Sequence, residues 1–150
     1  MIPKFWKLSQ GTDFFDHQDL AASIECKLVH VHADTAAKGK SFEAQGVRFI
    51  EAEIGDYFYL THGNQGVYLL GQFSGPANIF SLKGDGWVDR PFRLIRYAKP
   101  NTGYDGPHKW WAPNDRSTFT SVPEHELIDF ETHILSPYFG IFFEQFGITL

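Results

Sequence analysis

The sequence predicts an α+β domain in which short α-helices flank a mixed, strongly curved β-sheet or small β-barrel. Three observations carry this reading. Two β-rich runs, Tyr57–His62 and Val67–Phe73, flank the turn-forming Gly63-Asn64-Gln65-Gly66 and so read as a hairpin. Several other short runs of strand character are spaced among a few short helix signals. Aromatic residues make up 17% of the chain, a share that suits a compact β-rich core, a ring-binding surface, or both.

The elements follow in order. Lys4-Phe5-Trp6-Lys7-Leu8 alternates as a first strand and ends at Ser9-Gln10-Gly11. Asp13 is placed to cap a helix over residues 14–21. Residues 27–32 read as a strand, and the stretch from Ala36 to Val47 is ambiguous. Its Lys38-Gly39-Lys40-Ser41 lacks the earlier glycine of a phosphate loop, so a P-loop is rejected. Gly55-Asp56 turns into the hairpin and Gly75-Pro76 closes it. A strand is expected from Phe92 to Tyr97 and a short one from Thr118 to Val122. Pro123, the acids behind it and a 3.6-residue apolar period (Leu127, Phe130, Ile134) then predict a terminal helix stopping near Ser136-Pro137. The apolar run Tyr138–Phe143 either packs back on the sheet or meets another surface.

Size and charge bound the function. At 150 residues the chain fits a single domain, 1–150, able to bury about 68–70% of its unfolded surface. A formal charge of −5 argues against a protein that coats DNA by phosphate neutralisation alone. A lone cysteine, Cys26, excludes an internal disulfide and a cysteine-based zinc site. No signal peptide opens the chain and no apolar run approaches the roughly 20 residues that span a bilayer, so the expectation is a cytoplasmic protein with no membrane partner.

Catalytic and metal chemistry find little support. His30-Val31-His32 places two imidazoles on one face of a strand, with Asp34 extending the row and His62 a further candidate ligand. No zinc-protease spacing accompanies them, nor any pattern of groups that would orient the imidazoles, so no metal is assigned. Cys26 beside Lys27 reads as a packed cysteine rather than a nucleophile. No nucleophile elbow or deaminase motif is present, and no cofactor is implied. The expectation is a binding module, not an enzyme.

The polar and aromatic groups are placed more tellingly. Trp110-Trp111-Ala112-Pro113-Asn114-Asp115-Arg116-Ser117-Thr118 sets paired indoles beside an amide, a carboxylate and a guanidinium. Flat faces next to directional hydrogen-bonding groups suit recognition of a planar ring such as a nucleobase. The alternative is a packed loop closing a core edge. Arg90, Arg93, Arg96 and Lys99 surround one strand, while Lys109 and Arg116 bracket the tryptophans. Acids concentrate elsewhere, which permits a basic cleft on an acidic chain.

Several of these motifs coincide in one order. Phe5-Trp6-Lys7-Leu8-Ser9, Gly55-Asp56 with its hairpin, Trp87 before the next strand, Lys109-Trp110-Trp111-Ala112-Pro113-Asn114-Asp115 and Ser136-Pro137-Tyr138-Phe139 span nearly the whole chain. Together they resemble EVE and YTH domains of the PUA superfamily, and most specifically the EVE-like N-terminal specificity domain of McrB-type modification-dependent restriction GTPases. The resemblance implies a PUA/EVE/YTH-like fold and a reader, cut from a longer McrB-type protein, that holds a flipped, methylated cytosine or adenine of DNA in an aromatic cage. It implies an AAA+ GTPase domain and a nuclease subunit as partners; a reader of modified RNA is the alternative.

By that resemblance Trp6, Trp87 and one of Trp110 or Trp111 serve as cage or cage-adjacent rings, with Ser9 contacting the base edge. Tyr59, His62, Asn114 and Asp115 are further edge readers; Lys7, Arg93, Arg96, Lys109 and Arg116 hold phosphates. YTH proteins carry Trp-Ser-Thr after their first helix, where this chain has Val31-His32-Ala33. Phe14, Phe15 or His32 therefore stands in for that cage wall.

Overall fold

A computed structural model describes residues 3–11, 15–35, 44–63, 66–99 and 103–150. The strands are β1 (Phe5–Gln10), β2 (Leu28–His32), β3 (Tyr57–His62), β4 (Val67–Phe73), β5 (Trp87–Tyr97) and β6 (Phe119–Ser121). Helices α1 (His17–Cys26) and α2 (Gln45–Glu51) lie between the early strands. The sheet runs β2-β5-β4-β3-β1-β6, with β1 parallel to β3 and the other pairs antiparallel. The architecture is thus α+β, a curled six-strand mixed half-barrel with a few short helices.

The curl brings the end of β1 against edge strand β2. Gln10 Nε2 donates to His30 O at 2.6 Å, and Gln10 Oε1 accepts from His30 N at 3.1 Å. One side-chain amide supplies the donor and acceptor that a neighbouring strand would otherwise offer. A second glutamine does related work at the other edge, where Gln45 Oε1 accepts from the N–H groups of Thr118 and Phe119.

Two cores sandwich the sheet. Trp6, Leu8, Val29, Val31, Phe49, Phe58, Leu60, Phe73, Phe92 and Phe119 fill the side under α1 and α2. Phe5, Tyr59, Leu70, Trp111 and the C-terminal helical segment form the other. Strand alternation explains the division, since Phe5 and Lys7 face one way while Trp6 and Leu8 face the other. The tightness of the first core shows at Gly71, where a Cβ would lie 2.6 Å from Phe58 Cζ.

Several expectations are corrected. The first helix starts later, at Asp16, because Asp16 and Asp19 form a reciprocal capping box; Asp13 lies outside the described residues, as do Phe14 and the Lys38–Ser41 motif. Strand β5 begins at Trp87 rather than Phe92. It pairs with β2 through Pro91 and with β4 from Phe92, so the proline, lacking an N–H, stands where β5 changes partner. The predicted terminal helix is a 3-10 turn (Glu124–Glu126), a short α-helix α3 (Leu127–Phe130) and a π-type segment (Glu131–Phe139). This run passes Pro137 and ends at Gly140, whose φ of 65° needs a glycine-like backbone.

Other corrections concern single side chains. Cys26 is exposed rather than packed. Tyr138, Phe139, Ile141 and Phe143 are buried, so the aromatic run packs back on the domain. Among the described residues no helix is long and apolar enough to cross a membrane.

Candidate functional site

The tryptophan-rich segment is tied down mainly by its own polar groups. Asp115 Oδ2 accepts from Ser117 N at 2.8 Å, and Asp115 Oδ1 lies 2.9 Å from His108 Nε2. Lys7, fully buried on β1, donates through Nζ to Asp115 O at 2.8 Å and to Ser117 Oγ at 3.0 Å. Ser117 Oγ donates onward to Trp110 O. The Tyr59 hydroxyl donates to Trp111 O, and burial raises its pKa well above the usual value, which keeps the proton in place. Lys7, Tyr59 and Asp115 therefore hold a loop in this structure, and all three are inside the fold.

The two indoles divide cleanly. Trp111 is 1% exposed, packs edge-on to Phe130 and donates through Nε1 to Glu126 Oε1 at 3.0 Å. Trp110 is 43% exposed and, with Gln45, Arg48, Lys109 and Phe119, lines a cleft of about 550 Å³. Asn114 and Arg116 are exposed nearby in sequence, and Lys109 pairs with Glu126 at 3.5 Å. Trp6 is buried, stacked on Phe119 at 4.3 Å between centroids, with Nε1 donating to Asp56 Oδ2. Its ring face already has a partner.

A second region gathers at the carboxyl ends of the parallel strands β1 and β3. Ser9 is in register with Thr61 and Gln10 with His62, while Ser9 N donates to Thr118 O at 2.7 Å and so links this region to the tryptophan loop. His62 Nε2 must donate to Phe15 O, 2.6 Å away. The Phe15 ring meets Trp87 edge-on at 5.6 Å and lies 5.5 Å from His30. His32 packs perpendicular to Trp87 at 5.3 Å. The ammonium of exposed Lys83 sits 4.2 Å from the Phe15 centroid and 4.9 Å from that of Trp87.

The electrostatics of this corner are uneven. Desolvation lowers the His30 pKa below 6.5, Lys83 lowers it further and Asp89 opposes; Ser23 Oγ lies 3.0 Å from its Nδ1. His32 Nδ1 accepts from Asp34 N, so its Nε2 carries the proton and donates to Asp85 O at 2.9 Å. These bonds take both ring nitrogens of His32 and the Nδ1 of His30, the pair that the HxH spacing offered to a metal. Among the described residues no three potential ligands group together. Thr61 Oγ1 and His62 Nδ1, both buried, have no hydrogen-bond partner among the described residues. Such groups are costly unless something satisfies them.

Of the predicted site residues, the structure thus brings His62 and Trp87 to one corner through Phe15, with His32 as a neighbouring ring, whereas Ser9, in register with Thr61, shares the opposite sheet face with Lys7 and Tyr59. Trp110, Asn114, Lys109 and Arg116 belong to the loop beyond Ser9. Arg93 and Arg96 lie toward the far end of β5, with Arg96 about 30 Å of strand from Trp87. Arg93 donates to Gln72 Oε1 and Arg96 to Phe139 O. Arg90 is buried, donating to the carbonyls of Phe49, Ala52 and Gly75, and leaves the surface set entirely. Sequence reasoning missed Lys83 and Gln10; the glycine-flanked Asp85 before Trp87 was the available signal for the first.

A small curled-sheet domain with one aromatic–polar corner is the class defined by these features. Among solved structures it is similar to a crystal structure of an Agrobacterium tumefaciens protein, with a TM-score of 0.51 and 16% identity over 84% of this chain and 89% of that one. A hypothetical protein from Leishmania major gives a TM-score of 0.48 and 14% identity over 87% and 94% of the two chains. A Rhodopseudomonas palustris protein gives 0.40 and 12% over 64% and 63%. The first likeness shows a shared fold alone. No family model and no curated protein matches the sequence.

Proposed function

We propose that this chain is a noncatalytic reader of a modified base in DNA, of PUA/EVE/YTH-like type, which takes the base flipped from its stack. The observation that supports it is the corner itself. Aromatic rings of Phe15 and Trp87, an exposed lysine over them, and the buried His62 Nδ1, without a hydrogen-bond partner among the described residues, adjoin the end of β3. A planar ring entering here would replace the Lys83 ammonium on the aromatic surfaces and offer an edge to His62.

Magnitudes bear on how the site must work. Extrusion costs a few kcal/mol, while one aromatic stack returns about 1–3 kcal/mol. Stacking alone is marginal, and pairing buried polar atoms such as His62 Nδ1 supplies the remainder. A methyl group adds only ~0.8 kcal/mol of burial, so discrimination rests on pocket shape and edge bonding.

The test is a binding panel of duplexes bearing 5-methylcytosine, 5-hydroxymethylcytosine, N4-methylcytosine, N6-methyladenine or no modification. Preference for one modified duplex is expected; equal affinity for all would sink the reading. Tighter binding to the corresponding modified single-stranded RNA would favour the RNA alternative. In a parent restriction protein, the AAA+ GTPase and nuclease would act on what this domain finds.

A further inference from the structure

The loop leading into Trp87 is a finger whose tip is apolar and exposed. Asn78 and Asp89 exchange backbone hydrogen bonds at its base (2.8 and 3.1 Å). Above them, Asn78 Oδ1 accepts from Phe80 N, Ser81 Oγ from Lys83 N, Ser81 O from Gly84 N and Gly84 O from Trp87 N. Turn hydrogen bonds therefore brace the loop at several points between its base and Trp87. Yet Ile79, Phe80 and Leu82 are 61, 83 and 104% exposed. A bonded loop holding three apolar side chains in water has had its exposure fixed in advance.

We infer that Ile79, Phe80 and Leu82 form a wedge that enters a nucleic-acid duplex beside the extruded base and fills the gap left in the stack. This rests on the reading of the corner as a base site. The same loop carries the apolar tip, Lys83 and Trp87, so a base held against Trp87 leaves its vacated step next to the finger. Apolar side chains are the usual wedges between base steps. The patch suits that occupant in size: three side chains fall far short of the roughly 800 Å² per partner that a stable protein interface buries. A membrane surface would call for a broad amphipathic face, whereas this tip offers three apolar side chains on one tight loop.

The wedge is tested with the double variant Phe80→Ser/Leu82→Ser and the apolar control Phe80→Leu, both at exposed positions. The probes are the modified duplex that the wild-type domain prefers and the same modified strand alone, whose base is already unpaired. We expect the double variant to lose about tenfold (~1.4 kcal/mol) on the duplex. It should hold wild-type affinity for the single strand, and Phe80→Leu should keep duplex binding. Unchanged duplex affinity overturns the wedge and leaves the base site standing. Equal losses on both probes also overturn it, placing the tip in the pocket instead. A wild-type dimer in sedimentation that the double variant dissolves assigns the tip to a second copy, against the proposal. A wild-type domain that prefers no modified duplex removes the base site and the wedge together.

Discussion

The tryptophan loop and the Trp87 corner are built on opposite principles. In the loop, conspicuous polar groups are spent internally: Lys7, Tyr59, Asp115 and Ser117 bond to one another or to backbone, leaving one exposed indole. In the corner, residues from distant parts of the chain meet and leave the buried His62 Nδ1 unpaired among the described residues. A region rich in functional residue types is therefore not the region with unspent binding capacity. What separates them is hydrogen-bond bookkeeping, which composition does not display.

The sharpest break of this comparison is a pair of alanine substitutions in the loop. Trp111→Ala removes a fully buried indole together with its hydrogen bond to Glu126, so about 3–5 kcal/mol of stability should be lost in urea denaturation. Trp110→Ala, at an exposed position, should change stability by no more than ~0.5 kcal/mol. Similar losses for both would mean that the adjacent indoles share one packing role.

A smaller effect, on binding rather than folding, separates the loop from the corner. Trp87→Ala should weaken the preferred modified duplex by about 1–3 kcal/mol if that ring stacks on the base. Trp110→Ala should leave the ratio of modified to unmodified affinity unchanged. The reverse pattern, measured by fluorescence anisotropy, would move the base site to the Trp110 cleft.

What the sequence displayed and what it hid follow from the range of the interactions. The bounds of β3 and β4 were legible because alternation and turn chemistry are local. The end of β5 was legible too, but its start was not: the strand runs through Pro91, which fits only because β5 exchanges β2 for β4 there. Lys7 and Arg90 read as surface cations because their partners, Asp115 and Ser117 or Phe49, Ala52 and Gly75, lie far along the chain. In the site, Phe15, His62 and Trp87 could be named one by one. Their meeting depends on the curl that Gln10 closes onto His30, and no periodicity reports a curl.

The smallest expected effect probes that closure through pH. His30 is held below its ordinary pKa of 6.5, first by burial and then by Lys83, with Asp89 opposing. Between its folded value and 6.5 the unfolded chain binds more protons at this residue, so its contribution to stability rises with pH. Above 6.5 both states are neutral and the dependence vanishes. Unfolding midpoints should therefore fall as pH drops below 6.5, and His30→Gln should flatten part of that slope. A slope unaltered by the substitution would assign the pH dependence to other groups. Adding the preferred duplex supplies the finer contrast: a ligand that displaces the Lys83 ammonium removes one cause of the depression, so the His30 imidazole should titrate higher when bound. A ligand seated at Trp110 should leave that titration, followed by NMR, where it was.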